Sequence, residues 1–389
     1  MGPHLGHPAS LRGVLDLALP LCDALSPMSR RFRPVCTLLA GAAVLSLAAA
    51  ACSPSGGGHS LLGDPSPVGG QALVTAPPPS AVPLTTTTLA PTTTTRAPTT
   101  TTTAAPSPTR PARPYPVGWT TLNLTDRSRP TAFLPGRHLP TLAFYPAVGP
   151  GGTAESPNAP GLFDDWPVVL FAEGYNANLG YYHDVVHHHA ASGYVVLFPF
   201  FPLATSGGPL NESDLVNEPG DVTFVLEQAI AFNSAAGVLH GMLDTSHLAL
   251  VGQSDGGEAV LGAAYLPGQI GARVGPVVAA SAAGVLLGNH GGSGVAHDVM
   301  IIQGTSDTIN PPAYGDRLYA TTPSPKSYLQ LIGAPHVEPF STNDQWHGVV
   351  EASIVDWLDA WIPGLYTASA ASRLGHDAEI PGIAVIRVS

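Results

Sequence analysis

Beyond residue 114 the chain alternates short, wholly apolar runs with longer stretches of mixed polarity. Pro167-Val168-Val169-Leu170-Phe171-Ala172 and Tyr194-Val195-Val196-Leu197-Phe198-Pro199 flank a helix-like segment from about Leu179 to Ser192. Apolar runs this short, without alternation, fit parallel strands covered on both faces. The series continues with a helix from Asp221 to Phe232 and a strand at Leu248-Ala249-Leu250-Val251. Further strands are expected at Val274 to Ser281, Val299 to Gln303 and Ser327 to Ile332, before a last helix from about Trp346 to Trp361. Two earlier runs, Thr120 to Leu124 and Leu139 to Tyr145, are separated by a polar turn through Asp126 and Arg129-Pro130, which predicts an antiparallel pair. The pattern predicts an α/β fold: a mostly parallel central sheet with antiparallel N-terminal strands and helical crossovers. In such a sheet, ligands meet the carboxyl ends of the strands.

The pattern is absent upstream. Residues 53–113 contain Thr85-Thr86-Thr87-Thr88, the run Thr99 to Thr103, and repeated Pro, Ala, Ser and Gly. So few large apolar side chains cannot offset chain entropy, and the segment reads as a disordered linker. Before it, Arg30, Arg31 and Arg33 precede the apolar run Val35 to Ala51, which ends in small residues and Cys52. This reads as an export signal over residues 28–52, with Met28 as the true start and residues 1–27 as a mis-assigned one. Small residues followed by Cys resemble a bacterial lipoprotein signal, in which Cys52 would carry the lipid; simple cleavage and release is the alternative. Residues 114–389 remain as one globular domain.

Composition narrows the partners. The three cysteines are Cys22, Cys36 and Cys52, so no disulfide can brace the domain. From Pro114 onward 24 Asp and Glu face 8 Lys and Arg, a formal charge of −16, and Lys326 is the only lysine. Such a surface repels phosphate backbones and argues against a nucleic-acid partner. Membrane contact is expected only through a lipid on Cys52.

The chemistry lies in Gly252-Gln253-Ser254-Asp255-Gly256-Gly257. A strand precedes it and the apolar stretch Glu258 to Ala264 follows, so Ser254 sits at a strand-to-helix turn of the nucleophile-elbow kind. A serine hydroxyl needs a base within hydrogen-bond reach and a third group to orient that base. The strand at Val299 to Gln303 delivers Asp307 at its carboxyl end, and the strand at Ser327 to Ile332 runs into Gly333-Ala334-Pro335-His336. Ser254, Asp307 and His336 are therefore the expected nucleophile, acid and base. His347 is the rival base, while His290 and His297 fall in the wrong order. Two N–H donors are needed for an oxyanion. The Asp255 N–H, directly after the nucleophile, and the Tyr175 N–H, in the turn Glu173-Gly174-Tyr175-Asn176-Ala177, are the candidates. A carboxylate at 255 aimed at a developing oxyanion would oppose it by several kcal/mol in a dry site, so it is expected to point elsewhere.

Elbow, acid loop and histidine loop together resemble the α/β-hydrolase superfamily, in particular exported actinobacterial esterases similar to platelet-activating-factor acetylhydrolase, dienelactone-hydrolase-like proteins and cutinase-type polyester hydrolases. Asp126-Arg127-Ser128-Arg129-Pro130, Arg137-His138-Leu139-Pro140-Thr141, Glu218-Pro219-Gly220-Asp221 and Ser306-Asp307-Thr308-Ile309 carry the likeness beyond the triad, over about residues 117–362. The resemblance implies a three-layer α/β-hydrolase fold without a large lid. It also implies ester hydrolysis through an acyl-serine on Ser254, with no cofactor. Gln253 and Asp255 stand where the polyester hydrolases usually have His and Met, and Ala279 to Leu287 lacks their Trp. These departures make polyester the minority reading; the expected substrate is an accessible small-molecule or polymer ester of short-to-medium acyl length. About 53 residues separate Ser254 from Asp307, too few for a lid domain. A serine peptidase of the same fold and a non-catalytic surface binding module are the competing readings. His183, His187, His188 and His189 lie on one helix, where His183 and His187 share a face at i,i+4 spacing. With no acidic partner evident, the sequence favours a packed or solvated face over a metal site.

Overall fold

The computed structural model describes residues 113–131, 135–149, 155–292, 294, 297–341, 344–362 and 367–389. The chain divides into two units, Met1–Pro108 and Thr109–Ser389, and every described residue belongs to the second. The expected alternative start, the export segment with Cys52 and almost all of the linker lie outside the described residues.

The elements in chain order are β1 (Val117–Asp126), β2 (Arg137–Pro146), β3 (Ser156–Pro157), β4 (Trp166–Ala172), α1 (Leu179–Ala191) and β5 (Val195–Pro199). A 3₁₀ turn at Glu212–Asn217 leads into α2 (Glu218–Phe232), followed by β6 (Leu243–Gln253), α3 (Asp255–Tyr265), β7 (Val277–Ala280) and β8 (Val299–Gly304). The chain ends with α4 (Pro312–Thr321), β9 (Lys326–Leu331), α5 (Glu338–Ser341), α6 (His347–Trp361), α7 (Thr367–Asp377) and β10 (Ala384–Val388). One sheet holds ten strands in the order β10-β9-β8-β7-β6-β4-β5-β2-β1-β3. The run from β5 through β4, β6, β7 and β8 to β9 is parallel, whereas β1–β2, β2–β5 and β9–β10 are antiparallel. The molecule is thus α/β with a mixed, mostly parallel sheet, and its N-terminal strands are antiparallel as the sequence predicts.

The central strands read as unbroken apolar runs because both faces are covered. In β4, Val168, Leu170 and Ala172 point into one core, with Val222 and Val225 of α2, Val260 of α3 and Leu318 of α4. Val169 and Phe171, the alternate positions, point into the other, with Tyr182 of α1, Ile354 and Trp357 of α6 and Leu374 of α7. Period-two alternation sends successive side chains to opposite faces, so a strand between two helical layers is apolar at every position.

The series expected from the sequence closes with the last long helix, but α7 and β10 follow it. β10 pairs with β9 at the sheet edge, and Val385, Arg387 and Val388 are exposed. A half-exposed edge strand has no continuous apolar run to mark it.

A buried ion-pair network fixes the connection between β5 and α2. Arg137, in β2 and 1% exposed, donates to Asp214 of the 3₁₀ turn (3.1 and 2.6 Å) and to Asp221 of α2 (2.6 and 2.5 Å). Arg129 joins Asp221 (2.7 Å) to Asp126 at the end of β1 (2.6 Å). The 3₁₀ turn packs against α3, so these contacts also shape one side of the region around the elbow.

Candidate functional site

Four loops leave the carboxyl ends of parallel strands and converge: residues 173–178 after β4, the elbow after β6, residues 305–311 after β8 and residues 332–337 after β9. Ser254 caps α3 with φ 57° and ψ −122°, a positive-φ conformation rare outside glycine. Such strain persists only where the surroundings over-determine it. Here they do: a side chain at Gly252 would overlap the Gly256 carbonyl, and one at Gly256 would overlap the carbonyl of Ala172. The two glycines let the turn close directly onto the end of β4.

The geometry brings Ser254, His336 and Asp307 together. His336 Nε2 lies 2.9 Å from Ser254 Oγ, and His336 Nδ1 lies 2.7 Å from Asp307 Oδ2. The carboxylate accepts the Nδ1–H, which leaves Nε2 to accept the serine proton. Asp307 Oδ1 accepts the N–H groups of Ile309 and Asn310, each at 2.9 Å, and Oδ2 also accepts from Gln303 Nε2 at 3.1 Å. Burial works to raise the Asp307 carboxyl, but the His336 hydrogen bond and charge, with the two N–H groups, hold it below the ordinary carboxylate range. His336 and Asp307 are buried while Ser254 is partly exposed. A hydroxyl at the surface with a buried, oriented base behind it is the arrangement that activates a nucleophile.

The turn after β4 runs against the elbow: a Cβ added at Gly174 would stand 3.2 Å from Ser254 Cβ and 2.9 Å from Gln253 Oε1. The Gly174 N–H is taken by the Tyr182 hydroxyl at 3.1 Å. The next N–H, that of Tyr175, makes no hydrogen bond to a described residue. Asp255 begins α3, so its N–H is one of the helix's unpaired donors. Both N–H groups that the sequence offers as oxyanion candidates thus lack a main-chain partner among the described residues.

The rival histidines stand apart from the serine. His347 is buried with Nδ1 3.1 Å from the Pro339 carbonyl and Nε2 3.4 Å from Glu351, and His297 Nε2 lies 3.1 Å from the Ala264 carbonyl. The histidines of α1 require a correction, because an acidic partner does meet them. Glu155 Oε1 lies 3.1 Å from His183 Nε2 and 2.7 Å from His187 Nδ1. Burial would raise Glu155, but both histidines outweigh it and hold the carboxyl at about 2. Glu155 sits 28 positions before His183, beyond any local motif. Among the described residues no group of three or more His, Cys, Asp or Glu is arranged to hold a metal ion.

Several residues of the site are not marked by any motif. Gln303, next to last in β8, braces Asp307, and Asn310 Nδ2 donates to the Ser281 carbonyl at 2.6 Å. Glu258, a buried acid in the first turn of α3, accepts the N–H groups of Ala283 (2.7 Å), Gly284 (2.5 Å) and Leu286 (3.2 Å) and pins the loop after β7. A polar residue at the end of an apolar run, or an acid just before one, is the only signal the sequence carries for them.

Burial also raises three acids beside the elbow. Glu173 and Glu218 are pushed well above the usual carboxyl range, and Asp255 to about 6, in each case chiefly by desolvation. Each keeps one buried carboxyl oxygen without a hydrogen-bond partner.

Neither a protein-family profile nor a curated protein matches the chain. Among the described residues no helix is long and apolar enough to cross a membrane.

Proposed function

We propose that the chain is a serine hydrolase of the α/β-hydrolase fold that cleaves carboxylic esters through an acyl-serine. One observation carries the reading: a strained, partly exposed serine whose hydroxyl lies 2.9 Å from a buried imidazole, itself 2.7 Å from a buried carboxylate. Ser254 attacks the ester carbonyl as His336 Nε2 takes its proton, and Asp307 holds the ring in the required tautomer. The oxyanion is received by the N–H groups of Asp255 and Tyr175. His336 returns the proton to the leaving alcohol, and water, activated by the same nitrogen, releases the acid.

Apolar side chains on the surrounding loops favour an ester with an apolar portion. Leu210 and Val216 after β5, Val285 after β7 and Ile309 after β8 are all exposed. The enzyme would act outside the cytoplasm, held by a lipid on Cys52 and the Thr- and Pro-rich stalk.

A fluorophosphonate probe tests the proposal. Ser254 in folded protein should take the label and Ser254→Ala should not, while Asp307→Asn should lower ester turnover on the order of 10⁴-fold. Folded wild-type protein that stays unlabelled would favour the binding-module reading. Labelling accompanied by faster cleavage of peptides than of p-nitrophenyl esters would favour a peptidase.

A further inference from the structure

The proposed chemistry needs three loops in register: the turn that offers the Tyr175 N–H, the elbow and the loop that carries His336. Two buried side chains join them. The Gly174 N–H donates to the Tyr182 hydroxyl (3.1 Å), which donates to Gln253 Oε1 (2.8 Å). Gln253 Nε2 in turn donates to the main-chain carbonyl of His336 (3.1 Å). We propose that Tyr182 and Gln253 are positioning residues, a hydrogen-bonded relay that sets the oxyanion donors, the Ser254 hydroxyl and the His336 base at their mutual distances. This inference rests on the esterase reading.

Each partner is used in the one way its chemistry allows. A phenol has a single proton to give, and it goes to the amide oxygen; the carbonyl of His336 can only accept, so the amide nitrogen must face it. Turning the amide over would place two oxygens against each other. Burial keeps the Tyr182 phenol protonated far above its ordinary range, so it remains a donor. Its ring is held among apolar neighbours, with centroids 5.1 Å from Phe171 and 6.1 Å from Phe198. Gln253 is 2% exposed, and its place at the last residue of β6 ties the amide to the backbone of the elbow itself.

The relay also selects the donor. By occupying the Gly174 N–H, the Tyr182 hydroxyl leaves the following N–H, that of Tyr175, which has no main-chain partner among the described residues, to serve as the donor.

The test uses Gln253→Met, Tyr182→Phe and the double variant in the full chain. Turnover of a p-nitrophenyl ester, the rate of fluorophosphonate labelling and the thermal midpoint are measured together. Each single variant should lower kcat and the labelling rate on the order of 10²-fold, because small misplacements of reacting groups have effects of that size. KM should stay within about threefold, and the double variant should lose no more than the worse single one, as members of one unit do. Variants that label and turn over as wild type once assayed well below their midpoints would overturn the relay, leaving these side chains a purely structural role. Multiplicative losses in the double variant would overturn it as well. If Gln253→Met does not fold, Tyr182→Phe, which keeps the ring in its apolar seat, decides alone. Wild-type protein that takes no label refutes the esterase reading itself; labelled wild type with unimpaired variants refutes only the relay.

Discussion

Two groups of buried acids lie within this domain, and they differ in what opposes their burial. Asp214 and Asp221 face Arg137, and Arg129 extends the network to Asp126. Glu173, Glu218 and Asp255, around the elbow, each leave a buried carboxyl oxygen without a partner. In the first group, burial works against the Arg137 charge, but the two carboxylates outweigh it and hold the guanidinium ionised. Desolvation still pushes Asp221 upward even against both arginines, which shows how much of the attraction it offsets. In the second group nothing comparable opposes desolvation. Glu218 occupies the first turn of α2, where the helix dipole favours an anion, yet burial and four neighbouring acids drive its carboxyl up. The difference lies in the partner: two guanidinium groups offset part of the desolvation at Asp221, and no cation does so at Glu218.

The sharpest way to break this contrast is to make the first group resemble the second. Arg137→Met leaves Asp214 and Asp221 buried with only the partly exposed Arg129 still reaching Asp221. Losing one partner of a buried pair strands the other, so stability should fall by about 3–5 kcal/mol at neutral pH, read from denaturant unfolding. The loss should shrink as the pH is lowered and the Asp221 carboxylate, already raised by burial, takes up its proton. A loss near zero would mean that Arg137 is replaceable by any side chain of its volume and that pairing is not what fixes the charge.

Removing the titratable proton from the second group has the opposite sign. A carboxyl whose folded-state pKa is raised favours the fold below its unfolded value and loses that contribution as the pH rises through the folded value. Glu218→Gln cannot ionise, so its stability relative to wild type should climb as the pH is raised from about 4.5, the ordinary glutamate value. The gain should be about 1–3 kcal/mol, the usual cost of burying an uncompensated polar group. A difference that stays flat across that range would show that Glu218 finds in solution the partner its carboxyl oxygen lacks.

The same contrast marks what the sequence could carry. The runs Pro167 to Ala172 of β4, Leu248 to Val251 of β6 and Val299 to Ile302 of β8 were legible because burial on both faces leaves no polar position within them. Ser254, Asp307 and His336 were legible because their order along the chain matches the order of the strands that deliver them. Arg137 and Asp221 stood out only as pieces of quoted motifs; their reason is a pairing across 84 positions. Gln253 read merely as a departure from a related pattern, because Tyr182 lies 71 positions before it and the His336 carbonyl 83 after it. Glu155 was invisible as the partner of His183 and His187. Local patterns encode which face a residue takes, but partners brought together by topology have no signature at either position. The edge strand β10 escaped for the converse reason, being too exposed to carry a pattern.

Asp255 gives the smallest and most local test, because there the raised acid touches the proposed chemistry. Desolvation, with Glu212 and Glu258, raises its carboxyl to about 6, while His336 draws it down. Above that pH a negative charge sits on the residue whose own N–H is proposed to receive the oxyanion, and the two repel. Asp255→Asn keeps the N–H and removes the charge, so kcat/KM of the variant relative to wild type should rise as the pH passes through about 6. A rise of up to about tenfold, or 1.4 kcal/mol, fits a carboxylate turned away from the site and partly hydrated. A far larger rise, by orders of magnitude, would place the carboxylate against the oxyanion itself. A ratio that does not change with pH would show that no charge on Asp255 reaches the oxyanion, and the contrast between the two acid groups would not extend to the elbow.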